Sequence, residues 1–154
     1  MGMTGVSRLF VDSNVLVHAT NDQSRLHAIA TAALQQAREQ GIALVICPQV
    51  LREYLVVITR GYPDPLHAPF DAIVGNAESF RKAFHLIEEN QRTVCLLGNL
   101  VRQYSVYGKQ IHDANIVAVM QSHDIRHLLT DNIADFTRFS RIITTISLQA
   151  AVAP

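Results

Sequence analysis

The stretch Arg8-Leu9-Phe10-Val11-Asp12 places a short apolar run directly before a carboxylate. A run with no polar alternation predicts a strand that is buried on both faces, as strands are in the parallel sheet of an α/β protein. Similar runs at Ile42–Ile46 and His127–Thr130 predict two more such strands.

Helical patterns alternate with these strands. Residues 24–40 carry apolar side chains at helical spacing, and Gly41 ends that pattern. The predicted helices cover about residues 24–40, 49–60, 69–90 (with a break near Gly75), the stretch from the third strand to about 107, and 112–123. The predicted strands cover residues 8–11, 42–46, 93–96, 127–130 and 141–146. Residues 61–65 form a predicted loop. Alternating elements predict one α/β domain over residues 1–154, a three-layer α/β/α sandwich with five parallel strands.

Composition excludes several classes of protein. The chain has 154 residues, of which 49% are apolar, which is typical of a globular domain and not of a disordered chain. No apolar run approaches the roughly 20 residues needed to span a bilayer. Residues 1–5 lack a basic region followed by an apolar stretch. We therefore expect a cytoplasmic protein with no membrane partner.

The cysteines and histidines give no sign of a metal site. Cys47 and Cys95 each lie in an apolar run that predicts a strand, so we expect two buried thiols in a reducing compartment. His123 and His127 are four residues apart, but a turn is expected between them, which argues against zinc.

The charge balance leaves two interpretations open. Thirteen basic and thirteen acidic residues give a net charge of zero, which argues against binding nucleic acid through bulk positive charge. Eleven of the thirteen basic residues are Arg, whose planar guanidinium suits phosphate. They could form a local phosphate-binding rim or be ordinary surface residues.

Four acids are expected at one edge of the sheet. Asp12 and Asp131 directly follow strands, Glu53 lies about one turn into the helix after the second strand, and Asp113 begins a helix that runs back toward the fourth. Open α/β sheets bind ligands at the carboxyl ends of their strands. Converging carboxylates repel one another unless a cation neutralises them, and an oxygen-only set of ligands favours Mg²⁺ or Mn²⁺.

Each acid also has a structural interpretation. Asp12 could cap a turn, Asp113 could complement a helix dipole, Glu53 could lie on a solvated face, and Asp131 could belong to a turn. Their joint placement on one edge favours the metal-site hypothesis.

The chain resembles the PIN-domain family, and within it the VapC-type toxin ribonucleases. The resemblance lies in four stretches in order, which span most of the chain: Leu9–Leu16, Pro48–Tyr54, Ile111–Ala118 and Leu128–Phe136. It implies a five-stranded sheet of order 3-2-1-4-5, Mg²⁺ or Mn²⁺ as cofactor, and endonucleolytic cleavage of RNA that leaves a 5′-phosphate and a 3′-hydroxyl. It also implies a VapB-like antitoxin that blocks the site, and a homodimer.

The resemblance assigns roles to named residues. Asp12 and Asp113 are expected to be the central metal ligands, and Glu53 and Asp131 to complete the set, so that metal-activated water attacks the phosphodiester. Three residues compete for the fourth acidic position. These are Asp131, favoured because it is nearest the strand end, and Asn132 and Asp135. Ser13, Asn14 and Thr130 are expected to orient carboxylates or water, although Thr130 could equally bond to backbone. Whether one or two metals bind is left open.

Two rival functions follow from the same residues. The chain could be a catalytically inactive PIN-like module that binds RNA or protein, although all four acids are present. It could instead be a metal-dependent phosphatase, but those enzymes need a second Asp two residues after the first, and Asn14 occupies that position.

Two apolar features predict assembly. The stretches 56–58 and 83–87 exceed what one sheet face needs, which favours the homodimer over a filled monomer core. We also expect an inhibiting partner to insert an Arg or Lys near Asp12, Glu53 and Asp113. Its anchor is expected in a groove between the helices at 24–40 and 49–60.

Overall fold

The structure is a computed structural model that describes residues 3–60 and 69–153. Its five strands are β1 (Arg8–Val11), β2 (Ala43–Ile46), β3 (His85–Leu86), β4 (His127–Leu129) and β5 (Thr144–Ile146). Its helices are α1 (Ser13–Thr20), α2 (His27–Glu39), α3 (Pro48–Ile58), α4 (Phe70–Ala83), α5 (Gln91–Tyr104), α6 (Gln110–Ser122), α7 (Ile133–Phe136) and α8 (Leu148–Ala151). A 3₁₀ turn, Thr137–Phe139, follows α7.

The strands form one parallel sheet of order β3-β2-β1-β4-β5. Strand β1 lies at its centre, with Phe10 beside Val45 of β2 and Leu128 of β4. Successive residues of a strand point to opposite faces, and Leu9, Phe10 and Val11 are all fully buried. Both faces of the sheet are therefore covered, which confirms the predicted α/β architecture, the five parallel strands and the order 3-2-1-4-5.

The helices pack in two groups. Helix α1 contacts α2 and α3, α3 contacts α4, and α8 packs on α2. Helices α5 and α6 form a separate pair, and α6 also contacts α7. Helix α6 is buried along its length from Ile116 to Met120, so it fills the centre of its layer. No helix in the described parts of the chain has the length and apolar character to cross a bilayer.

The third strand was predicted in the wrong place. Residues 93–96 belong to α5, and the strand at this edge is the two-residue β3 at 85–86, within a stretch predicted as helix. A capping box explains the difference: the Asn90 side chain accepts a bond from the Thr93 backbone, and Thr93 accepts one from the Asn90 backbone. That box starts a helix, and Cys95 on it is exposed and not buried as predicted.

Further differences concern unpredicted helices and the ends of predicted ones. Helix α1 was not predicted, and it begins immediately at Ser13 because Asp12 serves as its N-cap. Helix α4 continues through Gly75 without the predicted break. Helix α5 ends at Tyr104, three residues before the predicted end. The predicted loop at 61–65 lies outside the described residues.

Candidate active site

Asp12 lies at the carboxyl edge of the sheet, where backbone hydrogen bonds between neighbouring chain segments continue past the ends of the strands. Its backbone N–H donates to Leu129 at 3.0 Å, and the Thr130 N–H donates to Ile146 at 3.1 Å. These bonds align the residues that follow β1, β4 and β5. Asp12 is buried, with 7% of its surface exposed, and it caps α1 by accepting the Ser13 N–H at 2.7 Å.

A polar network holds both oxygens of the Asp12 carboxylate. Oδ2 accepts the Thr130 hydroxyl at 2.7 Å and the Asn14 amide at 2.9 Å, and Oδ1 faces the Ser13 hydroxyl at 3.4 Å. Burial raises the pKa of Asp12, the bonds from Thr130 and Ser13 oppose that rise, and the nearby Glu53 charge adds to it. Ser13, Asn14 and Thr130 thus hold this carboxylate in place.

Glu53 is brought to the same edge by α3. Its Oε2 accepts the Ser13 hydroxyl at 3.1 Å, which links it to Asp12 through one side chain. Its Oε1 accepts the amide of Gln49, one turn earlier, at 2.6 Å. Gln49 is buried, donates also to the His112 carbonyl at 2.9 Å, and accepts from Asn115 at 2.6 Å. This chain of bonds ties α3 to α6.

Asp113, in the first turn of α6, faces several like charges. Its pKa is raised to about 7, first by burial and then by the charges of Asp135, Asp12 and Glu53, while Arg138 acts in the opposite direction. Burial is the larger cause and the three like charges add to it, so these carboxylates share one region of low solvation. Without a cation, Asp113 therefore holds a proton far more readily than an exposed acid does.

The three candidates for the fourth position have different hydrogen-bond partners. Asp131 pairs with His18, its Oδ2 lying 3.3 Å from the His18 Nε2, and its charge is not among the main causes of the Asp113 shift. Asp135 is the carboxylate with the largest effect on Asp113, and it accepts a bond from the Asn132 amide. The structure thus brings Asp135 toward the cluster and Asp131 toward α1.

The donor chemistry fits a hard divalent cation. Asp12, Glu53, Asp113 and Asp135 are all carboxylates, and a cation would relieve the repulsion that raises the Asp113 pKa. As placed, no group of three or more His, Cys, Asp or Glu side chains within residues 3–60 and 69–153 is arranged to hold a metal ion. The carboxylates are thus close enough to disfavour one another's charge but are not closed around an ion.

Residues that the sequence analysis did not single out also shape this edge. Gln49 donates to Glu53, and Asn115 in turn donates to Gln49. His18 contacts Asp131 through Nε2, and its Nδ1 lies 2.8 Å from the Ser24 hydroxyl. Gln49 could have been found from its position, since it is a polar residue four before Glu53 on the buried face of a helix. His18 carries no such signal, because its partner Asp131 is 113 positions away.

Comparison with known families identifies the PIN domain. The sequence model of the PIN domain matches residues 9–142, which include every residue of the site described above. A search of curated protein sequences finds no significant match.

Similar solved structures agree in fold. VapBC2 from Rickettsia felis, bound to a DNA fragment from their promoter, matches with a TM-score of 0.65 at 16% identity over 91% of this chain and 98% of that chain. VapC20 from Mycobacterium tuberculosis, a toxin that cleaves the sarcin-ricin loop, matches with a TM-score of 0.61 at 16% identity over 88% and 96%. VapBC-1 from nontypeable Haemophilus influenzae matches with a TM-score of 0.66 at 12% identity over 92% and 98%.

Proposed function

The chain belongs to the PIN domain family, and from this premise we propose that it is a metal-dependent endoribonuclease, the toxin of a toxin–antitoxin pair. The observation that carries the proposal is the raised pKa of Asp113, which three other acids of the same sheet edge help to cause. A fold gains nothing in stability from such repulsion, so a cluster of this kind points to a bound cation.

The residues divide into ligands and supports. Asp12 and Asp113 are the proposed central ligands of Mg²⁺ or Mn²⁺, with Glu53 beside them. A bound cation would supply a Lewis acid for the scissile phosphate and would lower the pKa of a coordinated water. Thr130 and Asn14 keep Asp12 oriented. The bonds from Thr130 and Ser13 partly offset the rise of the Asp12 pKa, which favours the ionised form that a ligand needs. Gln49 holds Glu53 in the same way.

For the fourth position we favour Asp135 over Asp131. Asp135 has the larger effect on the Asp113 carboxyl, whereas Asp131 is directed to His18. Asn132 supports this choice because its side-chain amide donates to Asp135, and its backbone N–H donates to Thr130 at 3.0 Å. Asn132 therefore links the fourth acid to the network around Asp12.

The partner is proposed to be a VapB-like antitoxin, since the solved relatives from Rickettsia felis and Haemophilus influenzae are VapBC complexes. We propose a docking site other than the groove expected between α2 and α3, because α1 packs against both of those helices. A cavity of about 460 Å³ lies instead between α1, α3 and α4. Its apolar lining comes from Val17, Tyr54, Val57, Ile58 and Ile73. An apolar segment of the antitoxin would fit this cavity and direct a cationic side chain toward the nearby acids.

We also propose that the protein forms a homodimer. Val56 on α3 and Phe70 and Val74 on α4 are more than half exposed, which leaves an apolar surface unfilled in the monomer. Phe84, by contrast, is buried in the monomer core, under the Arg38 guanidinium at 5.4 Å from its ring centre. Multi-angle light scattering at micromolar concentration would give a dimer mass; a monomer mass would overturn the proposal.

A cleavage assay tests the function. Purified protein is incubated with labelled single-stranded RNA in Mn²⁺, in Mg²⁺ and in EDTA. We expect internal cleavage that requires a divalent ion, and its loss by at least about 100-fold in Asp12→Asn and Asp113→Asn. Glu78→Gln is the matched control, an exposed acid on α4 that is not among the causes of the Asp113 pKa shift.

Three outcomes separate the proposal from its rivals. Cleavage in EDTA, or full activity in Asp113→Asn, would overturn the assigned chemistry. Binding of RNA without cleavage in either metal would favour the catalytically inactive module. Release of phosphate from a phosphomonoester, with intact RNA, would favour the phosphatase.

A further inference from the structure

A second polar pocket lies at the opposite edge of the sheet from the acids. It has a volume of about 340 Å³ and lies where α5 and α6 meet the amino ends of β4 and β5. Its lining residues are Arg92, Leu96, Gln121, Asp124, Ile125, Arg126, Arg141 and Ile142. Strand β4 separates the two edges by three residues, or roughly 10 Å. A pocket of this size is in the usual range for a small-molecule site.

The rim of this pocket is cationic although the chain as a whole is neutral. Three of its eight lining residues are Arg and one is Asp. Arg126 and Arg141 have no ion-pair partner within the described parts of the chain. Arg92 has only a distant one, since its Nη2 lies 4.0 Å from the Asp124 carboxylate. Guanidinium groups without acidic partners favour an anion, and their planar fork suits phosphate.

The floor of the pocket differs from its rim. Leu96, Ile125 and Ile142 supply apolar side chains, and Ile125 is almost fully buried. Gln121 lies beside them, but its Oε1 atom is buried and closed to solvent. The surface that a ligand ring could contact is therefore the apolar one, which such a ring would shield from water.

The pocket therefore joins two features: guanidinium groups for a phosphate and apolar surface for a ring. We propose that it binds a nucleoside monophosphate such as AMP. The phosphate would contact Arg126 and Arg141, and the base would lie on Leu96 and Ile142, which are more exposed than Ile125. This assignment concerns a site distinct from the carboxylates and does not depend on RNA cleavage.

Isothermal titration of the full chain with AMP in EDTA tests the proposal, because EDTA prevents binding through metal at the other edge. We expect saturable binding with a dissociation constant below ~1 mM. Ribose 5-phosphate and inorganic phosphate, which lack the base, are expected to bind at least about fivefold more weakly. No saturation by ~5 mM AMP, or equal binding of inorganic phosphate, would overturn it.

Substitutions that remove a positive or a negative charge are expected to change AMP binding in opposite directions and so locate the site. Arg126→Gln and Arg141→Gln are each expected to weaken AMP binding at least about fivefold, and both residues are exposed, so folding is not at risk. Asp124→Asn should tighten it about twofold by removing the one acid, and Asn tolerates the left-handed backbone at that position, where φ is 56°.

A control variant and an RNA-binding measurement complete the test. Arg102→Gln, an exposed Arg on α5 whose bonds are to Gly98 and Asn99 of its own helix, is the control and should leave AMP binding unchanged. Equal effects of Arg102→Gln and Arg141→Gln would overturn the assignment. So would a single-stranded RNA oligomer that binds through Arg126 and Arg141 while AMP does not, because the pocket would then serve the nucleic-acid backbone.

Discussion

The hydroxyl of Thr130 donates a hydrogen bond of 2.7 Å to Oδ2 of Asp12 and so joins the residues that follow β4 and β1. Thr130 is fully buried. Its oxygen also accepts the Asn14 amide at 3.1 Å and the Asn132 N–H at 3.0 Å. One hydroxyl therefore satisfies three polar groups at the edge where the acids converge.

Replacing Thr130 by Val is expected to destabilise the protein by about 1–2 kcal/mol, because Val keeps the shape but leaves buried polar groups without a partner. Thr130→Ser retains the hydroxyl and is the control; it should retain RNA cleavage, while Thr130→Val loses most of it. Urea unfolding and the cleavage assay measure the two effects. Wild-type stability in Thr130→Val would contradict the importance of this hydroxyl.

A second prediction separates Asp135 from Asp131. The charge of Asp135 is the largest electrostatic cause of the raised Asp113 pKa, so Asp135→Asn should lower that pKa toward its ordinary value. Asp131→Asn is the matched control and should leave it unchanged, since Asp131 pairs with His18. Carboxyl carbon NMR of metal-free protein through pH 4–8 measures both.

RNA cleavage also distinguishes Asp135→Asn from Asp131→Asn. We expect Asp135→Asn to reduce RNA cleavage about tenfold or more, and Asp131→Asn to reduce it less. A pKa of Asp113 that responds to Asp131→Asn and not to Asp135→Asn would restore Asp131 as the fourth acid of the cluster.

The sequence predicted the central strands and the positions of three acids because those signals are local. An unbroken apolar run predicts a buried strand, and Asp12 follows such a run directly. The positions of Glu53 and Asp113 could be predicted because a helix that connects parallel strands runs antiparallel to them, which brings its N-terminus to the carboxyl edge of the sheet. What could not be predicted was which way Asp131 turns, because that depends on His18, which is 113 positions away in the sequence.

The edge strand β3 was not predicted, for a different reason. It has two residues, both exposed, so it leaves almost no apolar pattern. Val94, Cys95 and Leu96 form an apolar run that favours a strand, but the capping box at Asn90 and Thr93 fixes a helix there. Local hydrogen bonding at the start of the segment therefore outweighs its apolar composition.

The two thiols are expected to differ sharply in reactivity. Cys47 is fully buried, and burial raises its pKa to about 11, whereas Cys95 is exposed on α5. Because the thiolate is the reactive form, a disulfide reagent at pH 8 should modify one thiol per chain in the native protein and two in urea. Cys95→Ser should abolish the native reaction, with Cys47→Ser as the control that retains it. Rapid native labelling of Cys47 would contradict this burial.

The last prediction concerns pH and the stability of the metal-free protein. The pKa of Asp113 is raised from 3.8 to about 7 in the folded state. Below pH 3.8 its carboxyl is protonated in both the folded and the unfolded chain, and it contributes no pH dependence. Between these two values the folded state holds the proton and the unfolded state has lost it. Since the folded state binds more protons, stability falls as pH rises toward 7 and becomes constant above it.

Asp113→Asn removes this ionisation and should be more stable than the wild type at pH 7.5. Because Asp113 is only partly buried and solvent screens its charge, we expect a difference on the order of 1–2 kcal/mol. Urea unfolding in EDTA at pH 4.5, 6 and 7.5 measures it, with Glu78→Gln as an exposed-acid control. Mn²⁺ should stabilise the wild type at pH 7.5 far more than Asp113→Asn, because the cation binds the ionised carboxylate. If the wild type and Asp113→Asn differ by the same amount at all three pH values, Asp113 does not carry the raised pKa.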